Sequence, residues 1–169
     1  SLVEFNGIPD LISFSINPKN QSFMNYENDY ILGESNIKSA VEAIKKLPET
    51  KIIAVSKFYE TEPCGVPDKQ NNYINCCAKI ETNLGPYTLL GACLGIEASM
   101  GRVRTFKNAS RIIDIDLLLY GALEVCSKDL ILPHPRMLER DFVLVPLLEL
   151  YPGGEALGIK FDEYLKRIT

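Results

Sequence analysis

Apolar and polar positions follow one another along the chain in a pattern that predicts alternating strands and helices from Tyr30 onwards. Short β-branched or apolar runs predict strands, and apolar positions repeated every three or four residues predict helices. The predicted strands are Tyr30–Leu32, Lys51–Glu60, Tyr73–Glu81 and Ile112–Tyr120. The first predicted helix is capped by Ser35 and has its apolar positions at Ile37, Ala40, Val41, Ile44 and Leu47. The second predicted helix is Pro86–Met100. Beyond them we expect a short hairpin or an edge excursion in Gly121–Leu132, helical structure in at least part of Arg136–Leu150, and a short closing helix at Phe161–Ile168.

The element order from Tyr30 is β-α-β-β-α-β with additions at the C-terminus. This order predicts an α+β, ferredoxin-like fold in which helices pack on one face of a mainly antiparallel sheet. Residues 1–28 have a different character, because polar, turn-rich stretches surround a short apolar run at Leu11–Ile16. We expect residues 1–28 to be an N-terminal extension or the end of an upstream domain, and residues 29–169 to form the main domain.

Composition narrows the class of protein. The 169 residues are 46% hydrophobic and 24% charged, which is typical of one soluble globular domain. The net charge of −4 argues against broad electrostatic binding to nucleic acid, and no apolar run approaches the roughly 20 residues that span a membrane. The five cysteines include no CxxC pair, which argues against a disulfide framework or a zinc site and predicts a reducing, cytoplasmic location. Cys77 and Cys93 are expected to act as small buried hydrophobes.

The most informative stretch is the predicted strand that contains Asp114 and Asp116. Side chains alternate across a strand, so these two carboxylates project from one face while Ile113, Ile115 and Leu117 fill the other. Two carboxylates among apolar residues repel each other unless a cation lies between them. Magnesium suits the position, since it accepts one or two carboxylates and completes its shell with water and substrate phosphates. The alternative is a strand end whose acids simply face water.

Arginines flank this strand. Arg102 and Arg104 follow the second predicted helix, and Arg111 precedes the acidic strand. The forked guanidinium suits phosphate oxygens, so cations beside a carboxylate pair are typical of a metal–nucleotide site. The alternative for Arg102 and Arg104 is that they are surface residues closing a helix.

Two further groups carry polar chemistry. His134, the only histidine, lies between two prolines and is followed by Arg140 and Phe142, which favours a phosphate contact over a hydrolytic triad. Thr61, Tyr73 and Asn75 surround an irregular loop. Alone, the second group is better explained as a strand end with two turn residues.

In chain order, these segments resemble the 6-hydroxymethyl-7,8-dihydropterin pyrophosphokinase family of folate biosynthesis. The resemblance covers residues 30–152 and rests on Phe58–Pro63, Tyr73–Asn75, Ile96–Glu97, Gly101–Arg104, Arg111–Gly121, Pro133–Arg136 and Glu139–Leu147. Two segments depart from the family pattern: Leu32–Asn36 stands where a Gly-Ser-Asn-Leu-Gly turn is usual, and Asn108–Ser110 stands where Trp-Gly-Pro is usual.

The resemblance implies a ferredoxin-like enzyme that transfers pyrophosphate from ATP to the hydroxymethyl oxygen of 6-hydroxymethyl-7,8-dihydropterin and releases AMP. It implies that Asp114 and Asp116 bind two magnesium ions, and that Arg102, Arg104 and Arg111 act on the phosphates. It places the pterin against Thr61, Pro63, Tyr73, Asn75 and Phe142, and the nucleotide against Glu97, Leu117, Ile131, His134 and Arg140. It also implies fusion or association with another enzyme of the folate pathway, and no nucleic-acid or membrane partner.

Two other functions compete with this interpretation. A different magnesium enzyme, such as a nucleotidyltransferase, would explain Asp114 and Asp116 but leave Tyr73, Asn75 and Phe142 unexplained. A ferredoxin-like module that binds a small ligand without turnover would leave the arginines unexplained.

Overall fold

The computed structural model describes residues 10–15, 26–61, 73–101 and 113–169. In chain order its elements are β1 (Asp10–Ser15), α1 (Tyr26–Lys45), β2 (Thr50–Val55), β3 (Tyr59–Thr61), β4 (Tyr73–Thr82), α2 (Pro86–Gly101), β5 (Asp114–Leu119), β6 (Val125–Cys126), β7 (Ile131–Leu132), a 3-10 turn (Met137–Glu139), α3 (Asp141–Leu150), β8 (Glu155–Ala156), β9 (Ile159–Lys160) and α4 (Phe161–Ile168).

The main sheet has the strand order β2-β4-β1-β5, and the short strand β3 pairs with β4 beside this path. Every pairing in it is antiparallel. Strands β1, β2, β4 and β5, linked through α1 and α2, have the split β-α-β arrangement, so the predicted α+β, ferredoxin-like fold is confirmed. The strand β5 lies at one edge of the sheet, which matters for the site.

Helices cover both faces of the sheet, so the prediction that they pack on one face is wrong. Along β4, Ile74, Cys76, Ala78 and Ile80 belong to the core beneath α1 and α2. Cys77 points the other way, into a second core with Leu118 and the residues of α3 and α4. Because β4 and β5 carry apolar side chains on both faces, the C-terminal helices have a second surface to bury. We call this second surface the α3 face.

The strand predicted at Tyr30–Leu32 is also wrong, because these residues lie inside α1. A short apolar run cannot be assigned to strand or helix by periodicity alone, and here it continues the helix that buries Ile37, Ala40 and Ile44. Ser35 is therefore within the helix and does not cap it. The first strand of the sheet is instead β1, residues 10–15, which lies between β4 and β5.

Residues 10–15 thus belong to the main sheet, and the predicted N-terminal extension does not hold for them. Residues 16–25, which follow this strand, lie outside the described residues. That an upstream domain precedes this one stays a prediction.

The predicted strand Lys51–Glu60 is divided into β2 and β3 around Ser56. Ser56 bridges the break, since its N–H donates to the Cys77 carbonyl at 2.8 Å and its Oγ accepts the Cys77 N–H at 2.9 Å. The predicted elements that became β4, α2, β5 and α4 are confirmed within one or two residues at their ends. The hairpin predicted in Gly121–Leu132 is formed by β6 and β7, and the helical structure predicted in Arg136–Leu150 is a 3-10 turn followed by α3. Cys77 and Cys93 are buried as expected, and the described cysteines, Cys76, Cys77, Cys93 and Cys126, are all free thiols. Among the described helices, none is long and apolar enough to cross a membrane.

Candidate active site

Polar positions of three neighbouring strands meet at one end of the sheet. Ser15 of β1 is the register partner of Asn75 on one side and of Asp114 on the other. Ser13 is likewise the partner of Cys77 and of Asp116. Residues opposite each other in a sheet share a face, so Asn75 and the two carboxylates lie on one face. Two strand spacings, about 10 Å, separate Asn75 from Asp114.

This shared face is the α3 face, because it also carries Cys77 and Leu118. Along β5 the half-buried Asp114 and Asp116 alternate with Ile113, Ile115 and Leu117, which are at most 4% exposed on the opposite face. The predicted alternation of carboxylates and apolar residues is therefore confirmed.

A cleft of about 620 Å³ follows the outer edge of β5. Its walls are α2, the β6–β7 hairpin and the segment that leads into α3. Seven of the residues singled out from sequence line it together: Glu97, Asp114, Asp116, Leu117, Ile131, His134 and Arg140. The volume is in the range of small-molecule sites.

Two hydrogen bonds to the backbone fasten the cleft walls to β5. The Ile115 N–H donates to Glu97 Oε1 at 2.7 Å, and this carboxylate is only 4% exposed. The His134 N–H donates to the Leu118 carbonyl at 2.9 Å. As an edge strand, β5 has backbone groups on its outer side that need such partners. Glu97 and His134 therefore fix the position of the strand that carries the carboxylates.

His134 is held as a neutral imidazole. Its Nδ1 accepts the Arg136 N–H at 3.2 Å, so the ring proton is on Nε2. Burial lowers the pKa of His134, the nearby Arg140 and Arg136 lower it further, and Asp116 opposes them. The side chain can therefore donate one hydrogen bond from Nε2 inside the cleft.

The start of α3 brings Phe142 next to the cleft. The Arg140 guanidinium lies over the Phe142 ring, 5.4 Å from its centre, and Phe142 is half-buried. Asn75, on the same side of the sheet as α3, is 1% exposed. Arg140, expected at the nucleotide, and Phe142, expected at the pterin, thus lie against each other.

The remaining predicted residues are not placed with side chains. Pro63, Arg102, Arg104 and Arg111 lie outside the described residues. Thr61 and Tyr73 are described by their backbone, as register partners at the end of the β3–β4 pair.

Eight cleft residues were not among the site residues expected from sequence: Leu90, Leu94, Ile115, Lys128, Asp129, Leu130, Pro135 and Arg136. Arg136 lies in a segment that carries the resemblance, and this was the only signal for it. Lys128 and Asp129 reach the cleft because the hairpin folds over the edge of β5, which the local sequence does not indicate.

The carboxylate pair is suited to magnesium more than to a metal enclosed by protein. Among the described residues, no group of three or more His, Cys, Asp or Glu could hold a metal ion. Magnesium needs only one or two protein carboxylates when substrate phosphates and water complete its shell. Asp114 and Asp116, facing a cleft with cations on its rim, meet that requirement.

Comparison with known proteins identifies one family. A family model described as 7,8-dihydro-6-hydroxymethylpterin-pyrophosphokinase (HPPK) matches residues 30–152. The 2-amino-4-hydroxy-6-hydroxymethyldihydropteridine pyrophosphokinase of Methylorubrum extorquens is 42% identical over 125 residues, which cover 72% of this chain and 78% of that protein. The protein of the same name from Haemophilus influenzae is 41% identical over 114 residues, covering 68% and 71%. The folic acid synthesis protein of Dictyostelium discoideum is 38% identical over 144 residues, covering 81% of this chain and 22% of that longer protein.

Proposed function

We propose that this chain, which belongs to the 7,8-dihydro-6-hydroxymethylpterin-pyrophosphokinase family, transfers the pyrophosphoryl group of ATP to the hydroxymethyl oxygen of 6-hydroxymethyl-7,8-dihydropterin. The observation that carries the proposal is the position of Asp114 and Asp116. They line the cleft with His134 and Arg140, and they also share the α3 face with Asn75. A site built this way has phosphate-binding chemistry on one side and an amide for a heterocycle on the other.

The cleft at the edge of β5 is the proposed nucleotide site. Leu117 and Ile131 supply apolar contacts, while Arg140 and the Nε2–H of His134 are donors for phosphate oxygens. Lys128 and Arg136 add positive charge on the rim. Arg102, Arg104 and Arg111 are expected to add to these cations in the complete site.

The pterin is proposed to lie between Tyr73 and Phe142, with Thr61, Pro63 and Asn75 along its edge. Stacking on an aromatic ring contributes about 1–3 kcal/mol per flat nucleobase, and a pterin presents a similar flat surface. The buried amide of Asn75 can both donate and accept, as recognition of a heterocycle edge requires. Phe142 is half-buried under Arg140, which limits its freedom before substrate binds.

Magnesium, with two ions expected, would be held by Asp114 and Asp116 and would neutralise phosphate charge when bound. The residues of the chain position the two substrates and stabilise the charge that develops on the phosphate oxygens. In the proposed reaction the hydroxymethyl oxygen bonds to the β-phosphorus and the bond from that phosphorus to the α,β-bridging oxygen breaks. AMP leaves, and the hydroxyl proton passes to solvent. We assign no side chain as a dedicated general base, since positioning and charge neutralisation supply most of the catalysis in phosphoryl transfer.

Two further proposals concern fusion with another enzyme and the cellular compartment. The matches to much longer folic acid synthesis proteins support fusion or association with another enzyme of folate synthesis. The four free thiols among the described cysteines support a reducing compartment such as the cytoplasm.

The test is AMP formation from ATP and magnesium, with and without 6-hydroxymethyl-7,8-dihydropterin, followed by chromatography of the nucleotides. We expect AMP only when the pterin is present. Pterin that stabilises the protein against heat without any AMP would support a binding module and contradict the proposed enzyme. AMP formed equally without pterin would point to another nucleotide-dependent activity.

A further inference from the structure

We propose that Glu149 is a positioning residue for the pterin side of the site, holding β3 against α3 through Tyr59 and Lys57. This inference rests on the proposed function and adds a residue that neither the sequence patterns nor the cleft indicate.

Both carboxylate oxygens of Glu149 bind the segment that leads into β3. The Tyr59 hydroxyl donates to Oε1 at 2.6 Å, and the Lys57 N–H donates to Oε2 at 3.0 Å. The hydrogen bond to Glu149 raises the pKa of Tyr59, as expected when a carboxylate accepts the phenolic proton. Glu149 thus joins the end of α3 to a segment about 90 residues earlier in the chain.

The segment it holds carries one wall of the proposed pterin site. Tyr59 is the register partner of Asn75, and Thr61 is the partner of Tyr73. The strand β3 has only three residues, and β4 is its one strand partner among the described strands. A three-residue strand at the side of a sheet gains little from its ladder hydrogen bonds, so a second attachment decides where it lies.

The opposite end of α3 carries Phe142, the proposed stacking residue. Phe142 and Glu149 are seven residues apart, which is about two helical turns and about 10 Å along one side of α3. A single helix therefore carries an aromatic wall of the pterin site at its start and the anchor of the facing wall near its end. It packs directly against both β3 and β4.

The nucleotide cleft does not depend on this anchor. The walls of the cleft are fastened to β5 by Glu97 and His134, on the other edge of the sheet. Releasing Glu149 from Tyr59 should therefore shift β3 relative to Phe142 while leaving the cleft in place. Small displacements of binding groups are costly when two walls must close on a flat substrate.

The experiment compares Tyr59→Phe, Glu149→Gln and Glu149→Ala by steady-state kinetics, with calorimetric binding of the pterin to each protein. We expect the pterin KM and Kd to rise about fivefold to tenfold in Tyr59→Phe and Glu149→Ala, the effect of losing about one hydrogen bond of ordinary net strength. The KM for ATP should change by less than about twofold. Glu149→Gln should lie between wild type and Glu149→Ala, because its amide oxygen still accepts one hydrogen bond.

Tyr164→Phe is the matched control, since it removes a hydroxyl that donates to the Ala156 carbonyl at 3.2 Å in the C-terminal core. It should leave both KM values unchanged even if it lowers the thermal stability. An unchanged pterin KM in Tyr59→Phe, or equal rises in the KM for pterin and for ATP, would overturn the positioning role. Wild-type protein without any pterin-dependent AMP would instead contradict the proposed function itself.

Discussion

The hydrogen bond between Glu97 and β5 gives the sharpest prediction about stability. Glu97 Oε1 accepts the Ile115 N–H at 2.7 Å, and both residues are at most 4% exposed. Glu97→Leu keeps the side chain buried but leaves the Ile115 N–H without this acceptor. Glu97→Gln keeps an acceptor oxygen on a side chain of the same length, so it is the matched control.

The expected loss follows from the hydrogen bond and the burial. A hydrogen bond to a charged group contributes about 1.5–3 kcal/mol, and a buried donor left unpaired costs a similar amount. These two figures are alternative estimates for the same lost hydrogen bond and are not added together. Glu97→Leu should therefore lower the free energy of unfolding by about 2–3 kcal/mol. In a chain of this length each kcal/mol shifts Tm by about 2–4 °C, which gives a drop of about 4–12 °C. Glu97→Gln should lose about 1 kcal/mol or less.

Thermal unfolding followed by circular dichroism measures the loss, and amide hydrogen exchange locates it. We expect the Ile115 amide to exchange slowly in wild type and in Glu97→Gln, and much faster in Glu97→Leu. The reasoning would be refuted if Glu97→Leu melted within about 1 °C of wild type while the Ile115 amide stayed protected.

Three further predictions concern the site. Asp114→Asn or Asp116→Asn should each lower kcat at least about 100-fold with little change in Tm, measured by AMP release at saturating pterin, because each removes a carboxylate that would hold the magnesium neutralising the reacting phosphates. Near-normal rates in both would contradict the metal site. Tyr73→Ala should weaken pterin binding by calorimetry and leave ATP binding mostly intact, whereas equal losses for both ligands would indicate damage to the fold. The pKa of His134 is lower in the folded protein than in the unfolded chain, where it is about 6.5. As the pH falls below about 6.5, the unfolded chain therefore takes up a proton first. The free energy of unfolding should decline from that pH down to the pKa of His134 in the folded protein. His134→Gln should flatten this part of the profile in urea unfolding without divalent cations, and an identical profile in both proteins would be inconsistent with a buried neutral imidazole.

The sequence was sufficient to predict those elements whose structure is determined by interactions between neighbouring residues. The alternation around Asp114 and Asp116 appears directly in β5, because a strand has one periodicity and Ile113, Ile115 and Leu117 reveal its buried face. The helix α2 was predicted almost to the residue, since Pro86 begins it and proline favours the first turn of a helix.

Sequence patterns were insufficient where partners are distant along the chain. The run Tyr30–Leu32 fits a strand or a helix equally, and only the pairing of residues 10–15 with β4 and β5 shows which segment is the first strand. The sequence also did not show that helices cover both faces of the sheet. Cys77 and Leu118 are buried on the second face only because α3 and α4, which come later in the chain than Cys77 and Leu118, pack over them.

The site residues divide in the same way. His134 and Arg140 stand out through their neighbours in sequence and do line the cleft. Glu149 is an exposed acid at the end of an apolar helix, and its contacts with Lys57 and Tyr59 join segments about 90 residues apart. Such a contact leaves no local pattern.

The most direct test of the central claim follows the β-phosphorus of ATP. Wild-type protein is incubated with magnesium, 6-hydroxymethyl-7,8-dihydropterin and ATP labelled at the β-phosphorus, and the products are separated by chromatography. Pyrophosphoryl transfer predicts that the label moves to the pterin while unlabelled AMP is released. Label retained in ADP, or released as free pyrophosphate with the pterin unlabelled, would contradict the proposed transfer.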